Sequence, residues 1–171
     1  MGSLLSAFYE SSPRIEVLET PRFDADDPAM VEYLRNNGYA VVKNVCSADE
    51  IIHAKELLWQ FLSDKSGMLE QDPSTWTDEN FSKIGFVENG ILCYEGIGQS
   101  EFLWFLRLLP KVKMAFSKIF NTSELITSFD GANVFRPWHS PTADEHCKTR
   151  GGWFHVDQGI AITMTPPVTP C

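Results

Sequence analysis

Helical spacing and strand-like runs take turns along the chain. Asp27-Pro28 predicts a helix start, because an aspartate can cap and proline suits the first helical position. Met30, Tyr33 and Leu34 give that helix one apolar face, and Asn37-Gly38 ends it. The run from Tyr39 to Val45 is β-rich and predicts a strand. Ser47 with Glu50 three residues on is a capping box, opening a helix to about Leu62 with Ile51, Ala54, Leu58 and Phe61 as core.

Residues 63–99 show no sustained period, and a connection of that length is expected to be a binding or lid loop. Its glycines, in Tyr94-Glu95-Gly96-Ile97-Gly98, lack what a phosphate-binding loop needs. Ser100 can cap a helix carrying Phe102, Trp104, Phe105, Leu106 and Leu109. Pro110 breaks it and is placed to begin the next, with Val112, Ala115, Phe116, Ile119 and Phe120. A second strand-like region runs from Leu125 to Trp138, with Gly131, Asn133 and Phe135 on one face and Ala132, Val134 and Arg136 on the other. A polar loop, 140–150, then leads to Gly151-Gly152-Trp153-Phe154-His155-Val156-Asp157-Gln158-Gly159, which reads as the end of a strand.

His155 and Asp157 share a strand face, with Val156 on the other. One imidazole and one carboxylate side by side form the His-plus-carboxylate part of a non-haem Fe(II) facial triad. A bare His-x-Asp also occurs as two ordinary surface residues, so the surrounding run matters. His53, alone on its helix, reads as a surface or packed histidine. His139, His146 and Cys147 match no standard zinc spacing.

At 171 residues the chain fits one domain. A net charge of −9 and the absence of a basic, aromatic-interleaved stripe argue against nucleic acid, and an anionic membrane surface is expected to repel the chain. Four scattered cysteines without a C-x-x-C suit a reduced, intracellular, cytoplasmic setting. No run is long enough for an integral membrane segment, and no secretory leader is expected. Gly2 with Ser6 fits an N-myristoylation pattern, a match short enough that an incidental start is the simpler reading.

Three stretches carry a resemblance. Gly38-Tyr39-Ala40-Val41-Val42-Lys43-Asn44-Val45, Phe129 to Trp138, and Gly152-Trp153-Phe154-His155-Val156-Asp157-Gln158 resemble, in order and spacing, the phytanoyl-CoA dioxygenase (PhyH-like) family. The similarity spans roughly residues 28–158. It implies an α+β fold, a double-stranded β-helix (jelly-roll, cupin-like) with N-terminal helices. It also implies an Fe(II)/2-oxoglutarate-dependent dioxygenase, using O2 and hydroxylating a small organic or acyl substrate. By this resemblance His155 and Asp157 are two of three iron ligands, and Asn133 and Arg136 are candidates for lining the cosubstrate or substrate pocket. The expected organisation is an arm over 1–27, the N-terminal part of the oxygenase domain over 28–158, and a disordered tail over 159–171.

The family's third ligand, a downstream histidine, and its 2-oxoglutarate-binding arginine have no counterpart here: no histidine follows His155 and no arginine follows Arg150. The jelly roll is therefore expected to be incomplete at its C-terminus. That leaves open an inactive, truncated fragment or pseudoenzyme that binds partners, with self-association through exposed sheet edges. A cupin-like binding module without redox chemistry is a third reading.

Overall fold

Helices and short strands build two small sheets and two apolar clusters. The computed structural model describes residues 19–136 and Lys148.

The first unit is a parallel crossover. Strand β1 (Arg22–Phe23) pairs with β2 (Val41–Val42), Arg22 opposite Val41 and Phe23 opposite Val42. Helix α1 (Ala29–Asn37) bridges them, as parallel strands require a long connection. Pro28 holds helical angles (φ −64°, ψ −26°), and the Asp27 carboxylate accepts from the Ala29 N–H at 2.8 Å. Both roles expected of Asp27-Pro28 are thus present. Gly38 ends the helix at φ 78°, donating its N–H to the Leu34 carbonyl, a left-handed angle that only glycine adopts at low cost. Of the predicted strand over 39–45, only Val41–Val42 forms a ladder. Arg22–Phe23, placed in the expected arm, supplies the partner.

Helix α2 (Ala48–Ser66) opens with both halves of the capping box made, and it runs a turn beyond Leu62. The Ser66 hydroxyl, buried, donates to the Leu62 carbonyl and accepts from the Met68 N–H, and Gly67 turns the chain at φ 86°. Ala54 and Phe61 are buried and Leu58 packs on the core, whereas Ile51 is 46% exposed.

Residues 63–99 depart furthest from expectation. They contain a 3-10 turn (Pro73–Thr75), helix α3 (Asp78–Ser82), strands β3 (Gly85–Phe86) and β4 (Ile91–Leu92), and a second 3-10 turn (Ile97–Gln99). Far from being a lid, this stretch supplies Met68, Phe81, Ile84, Leu92 and Ile97 to the main apolar cluster around Phe61 and Leu62. Each fully buried side chain of this kind contributes about 1.5–3 kcal/mol. Elements of two to five residues are too short to print a period on the sequence, so their burial was invisible there.

Helix α4 (Glu101–Leu108) begins at Ser100, whose hydroxyl accepts from the Leu103 N–H. Helix α5 (Pro110–Phe120) follows after Leu109, with proline in its first turn as predicted. Its Ala115 packs with Ala25 and Met30 on the crossover unit. Strand β5 (Ala132–Asn133) completes an antiparallel sheet in the order β3-β4-β5, with Ile91 opposite both Phe86 and Asn133. Gly85 and Gly131 flank β4 so closely that an added Cβ would collide with the carbonyls of Ile91 and Leu92. The fold is a mixture of helix and strand, as the α+β expectation holds. The sheets it shows among the described residues have two and three strands.

Candidate functional site

The chain enters the His155 region from the β3-β4-β5 sheet. The alternation predicted there is present: Ala132 and Val134 pack on the core and Arg136 is buried, while Asn133 and Phe135 are exposed. Asn133 and Arg136 therefore do not share a face, and one pocket cannot be lined by both from this strand.

The Arg136 guanidinium reaches across to α3. It pairs with the Asp78 carboxylate, donates to the Val87 carbonyl at 3.3 Å, and lies 5.1 Å from the Phe81 ring centroid. Arg136 is 8% exposed, unusual for a residue type that mostly sits at the surface. Arg107 makes a similar brace further back, donating to the carbonyls of Gly98 and Asp130 while stacking on Trp104. These two arginines tie the approach to β5 onto the helical layer. No sequence period marks either one.

His155 and Asp157 lie outside the described residues, as do His139, His146 and Cys147. Among the described residues no group of three His, Cys, Asp or Glu is placed to hold a metal ion. His53 sits at the surface, edge-on to Phe105 at 4.9 Å and 3.5 Å from Glu56, as a packed surface histidine. None of the described helices is long and apolar enough to cross a membrane.

An open groove of 590 Å3 lies where the β2-to-α2 turn meets the start of α5, lined by Asn44, Cys46, Ser47, Glu50, Pro110 and Lys111 among others. Its charges serve the fold. The Lys111 ammonium donates to the Asn44 carbonyl at 2.8 Å, and Glu50 accepts from the Ser47 N–H at 2.7 Å. The Ser47 backbone and hydroxyl hydrogen bonds, with a smaller contribution from Lys111, hold the Glu50 carboxyl below the usual carboxylate range.

No protein-family model matches the chain, and no solved structure does. It is similar to the Ava biosynthesis cluster protein O of Aspergillus versicolor, 30% identical over 125 residues, which are 72% of this chain and 39% of that protein. The chain thus spans about two fifths of the length of the curated relative it matches.

Proposed function

We propose that the chain is the N-terminal part of an Fe(II)/2-oxoglutarate-dependent dioxygenase of the PhyH-like kind, hydroxylating a small organic substrate. The observation that carries this reading is His155-x-Asp157 at the end of three ordered stretches that resemble that family. Two further points support it. The relative bears the name of a biosynthesis cluster protein, which suits an oxidation of a small molecule. The β3-β4-β5 sheet, with one face on the core, suits one edge of a jelly roll whose remaining strands come from later sequence.

An imidazole nitrogen and a carboxylate oxygen are donors that Fe(II) accepts, so the pair fits two positions of a facial triad. Bound iron, with 2-oxoglutarate and O2, would supply oxidative decarboxylation of the cosubstrate coupled to substrate hydroxylation. In this reading His155 and Asp157 hold the metal from one strand face. Arg136, committed to Asp78 and Val87, braces the strand that leads toward them. Asn133, exposed on the opposite face, is the freer of the two for a small-molecule contact.

Anaerobic Fe(II) titration of the purified chain with 2-oxoglutarate tests the reading. The weak visible charge-transfer band of the chelate is expected with the native sequence and absent from a His155→Ala/Asp157→Ala variant. Folded protein without the band, or a band unchanged in the double variant, rejects these residues as the iron site. The first of those results would favour a partner-binding fragment.

A further inference from the structure

Each strand of the β3-β4-β5 sheet gives one side chain to the helices and the next to the opposite side. The register sorts them. Leu92 lies opposite Gly85 and Ala132, and Leu92, Ala132 and Val134 belong to the main apolar cluster. Ile91 lies opposite Phe86 and Asn133, and that row, continued by Phe135, faces away from the cluster. Phe86 is 45% exposed and Phe135 66%, with Ile91 half-buried on the central strand. A bulge adds a further ring. The N–H groups of Cys93 and Tyr94 both donate to the Ile84 carbonyl, so two residues of one strand oppose one of the other. Tyr94 lies edge-on to Phe86 there, with ring centroids 5.5 Å apart. None of Phe86, Ile91, Tyr94, Asn133 and Phe135 is charged. The charges that flank them in the chain, Glu88 in the β3-to-β4 turn, Glu95 after the bulge and Asp130 before β5, are carboxylates. Arg136, next after Phe135, is buried on the other side and paired with Asp78.

A jelly roll encloses its interior between two sheets. Helices already cover one side of β3-β4-β5. On the dioxygenase reading above, on which this inference rests, the side bearing Phe86 and Phe135 is therefore the inner wall. Its chemistry then selects the substrate. Aromatic and aliphatic side chains favour an apolar molecule with flat rings. The Asn133 amide both donates and accepts, and suits a carbonyl or hydroxyl on that molecule. A CoA thioester, or another phosphorylated acyl carrier, would bring several anionic groups to a wall flanked by carboxylates and with no cation among its own residues.

We propose that this wall sets the substrate as an uncharged ring compound bearing a carbonyl or hydroxyl group, held by Phe86, Ile91 and Phe135 and oriented by Asn133. These four side chains then determine specificity without touching the metal.

Fluorescence titration of the metal-free full chain is the test. The probes are N-phenyl-1-naphthylamine, which is uncharged, and 8-anilinonaphthalene-1-sulfonate, which has the same rings and an added anionic group. The uncharged probe is expected to saturate, and the sulfonate to bind about tenfold more weakly, because its charge is desolvated without a partner. Phe86→Ser/Phe135→Ser should weaken the uncharged probe about tenfold or more. Asn133→Asp, an isosteric change at an exposed position, should weaken it as well and serves if the double variant does not fold, which circular dichroism checks. Phe116→Ser/Phe120→Ser removes the exposed aromatic pair of α5 and should leave binding as it is. No binding of the uncharged probe, equal binding of the sulfonate, or a loss in Phe116→Ser/Phe120→Ser in place of Phe86→Ser/Phe135→Ser overturns the proposal. So does a dimer that dissociates in Phe86→Ser/Phe135→Ser without probe binding, which assigns the face to a second copy. The titration contains no iron, so the two readings fail separately. A chelate band without probe binding rejects this substrate class alone, and probe binding without the band keeps the ligand class and rejects the iron site.

Discussion

Asp78 and Arg136, separated by 58 positions, meet in an ion pair that joins the first turn of α3 to the strand end beyond β5. The two ends of this pair live in different solvents. The arginine side chain is 6% exposed and the aspartate side chain 50%. Asp78→Asn should cost about 1–2 kcal/mol, between the small value of an exposed pair and the larger one of a buried pair. Arg136→Met, which keeps the cover on Phe81 while removing the charge, should cost less than Arg136→Ala. Urea denaturation of the three variants checks the order; equal losses for Met and Ala would show that packing over Phe81 contributes nothing.

Phe81 is fully buried within a helix of only five residues. So short a helix has little stability of its own, and its side-chain burial must hold it in place. Phe81→Ala should cost about 3–5 kcal/mol. Thermal unfolding would register this as a large drop in Tm. A drop of a degree or two would mean that α3 is peripheral to the core.

The capping box predicts a pH dependence. Glu50 has its carboxyl lowered from the ordinary 4.5 by the Ser47 hydrogen bonds, so the folded state holds its proton less tightly than the unfolded chain. Its contribution is present above the unfolded value and disappears as the pH falls through the lower, folded one. Stability measured from pH 6 to 3 should fall more steeply in the native chain than in Glu50→Gln, which keeps a side-chain acceptor without the titration. Parallel curves would remove Glu50 from the account. Ser47→Ala should cost about 1 kcal/mol at neutral pH.

Gly131 packs against the backbone of β4, where a Cβ would overlap the Leu92 carbonyl. Gly131→Ala should push β5 off β4 and cost about 1–3 kcal/mol, as overpacking does. Hydrogen exchange at the Leu92 and Val134 amides is the local readout, and unchanged protection there would contradict the close approach.

What could be read from the chain alone was what neighbouring residues decide among themselves. Asp27 and Pro28, the Ser47–Glu50 box, Ser100, Pro110 and Gly38 each act within a turn of backbone, so their effects are written in adjacent letters. The two-residue alternation from Gly131 to Arg136 was likewise legible, because a strand's faces follow from parity alone. The pairing of Arg22–Phe23 with Val41–Val42 was not, since a two-residue ladder has no pattern and needs its partner in space. Nor was the core role of Phe81, Ile84 and Leu92, which sit in elements shorter than any helical or strand period. The candidate chemistry divides in the same way. His155 and Asp157 are adjacent in sequence and announce themselves. The burial of Arg136 depends on Asp78 and Phe81, residues more than fifty positions away, and only packing could bring them together.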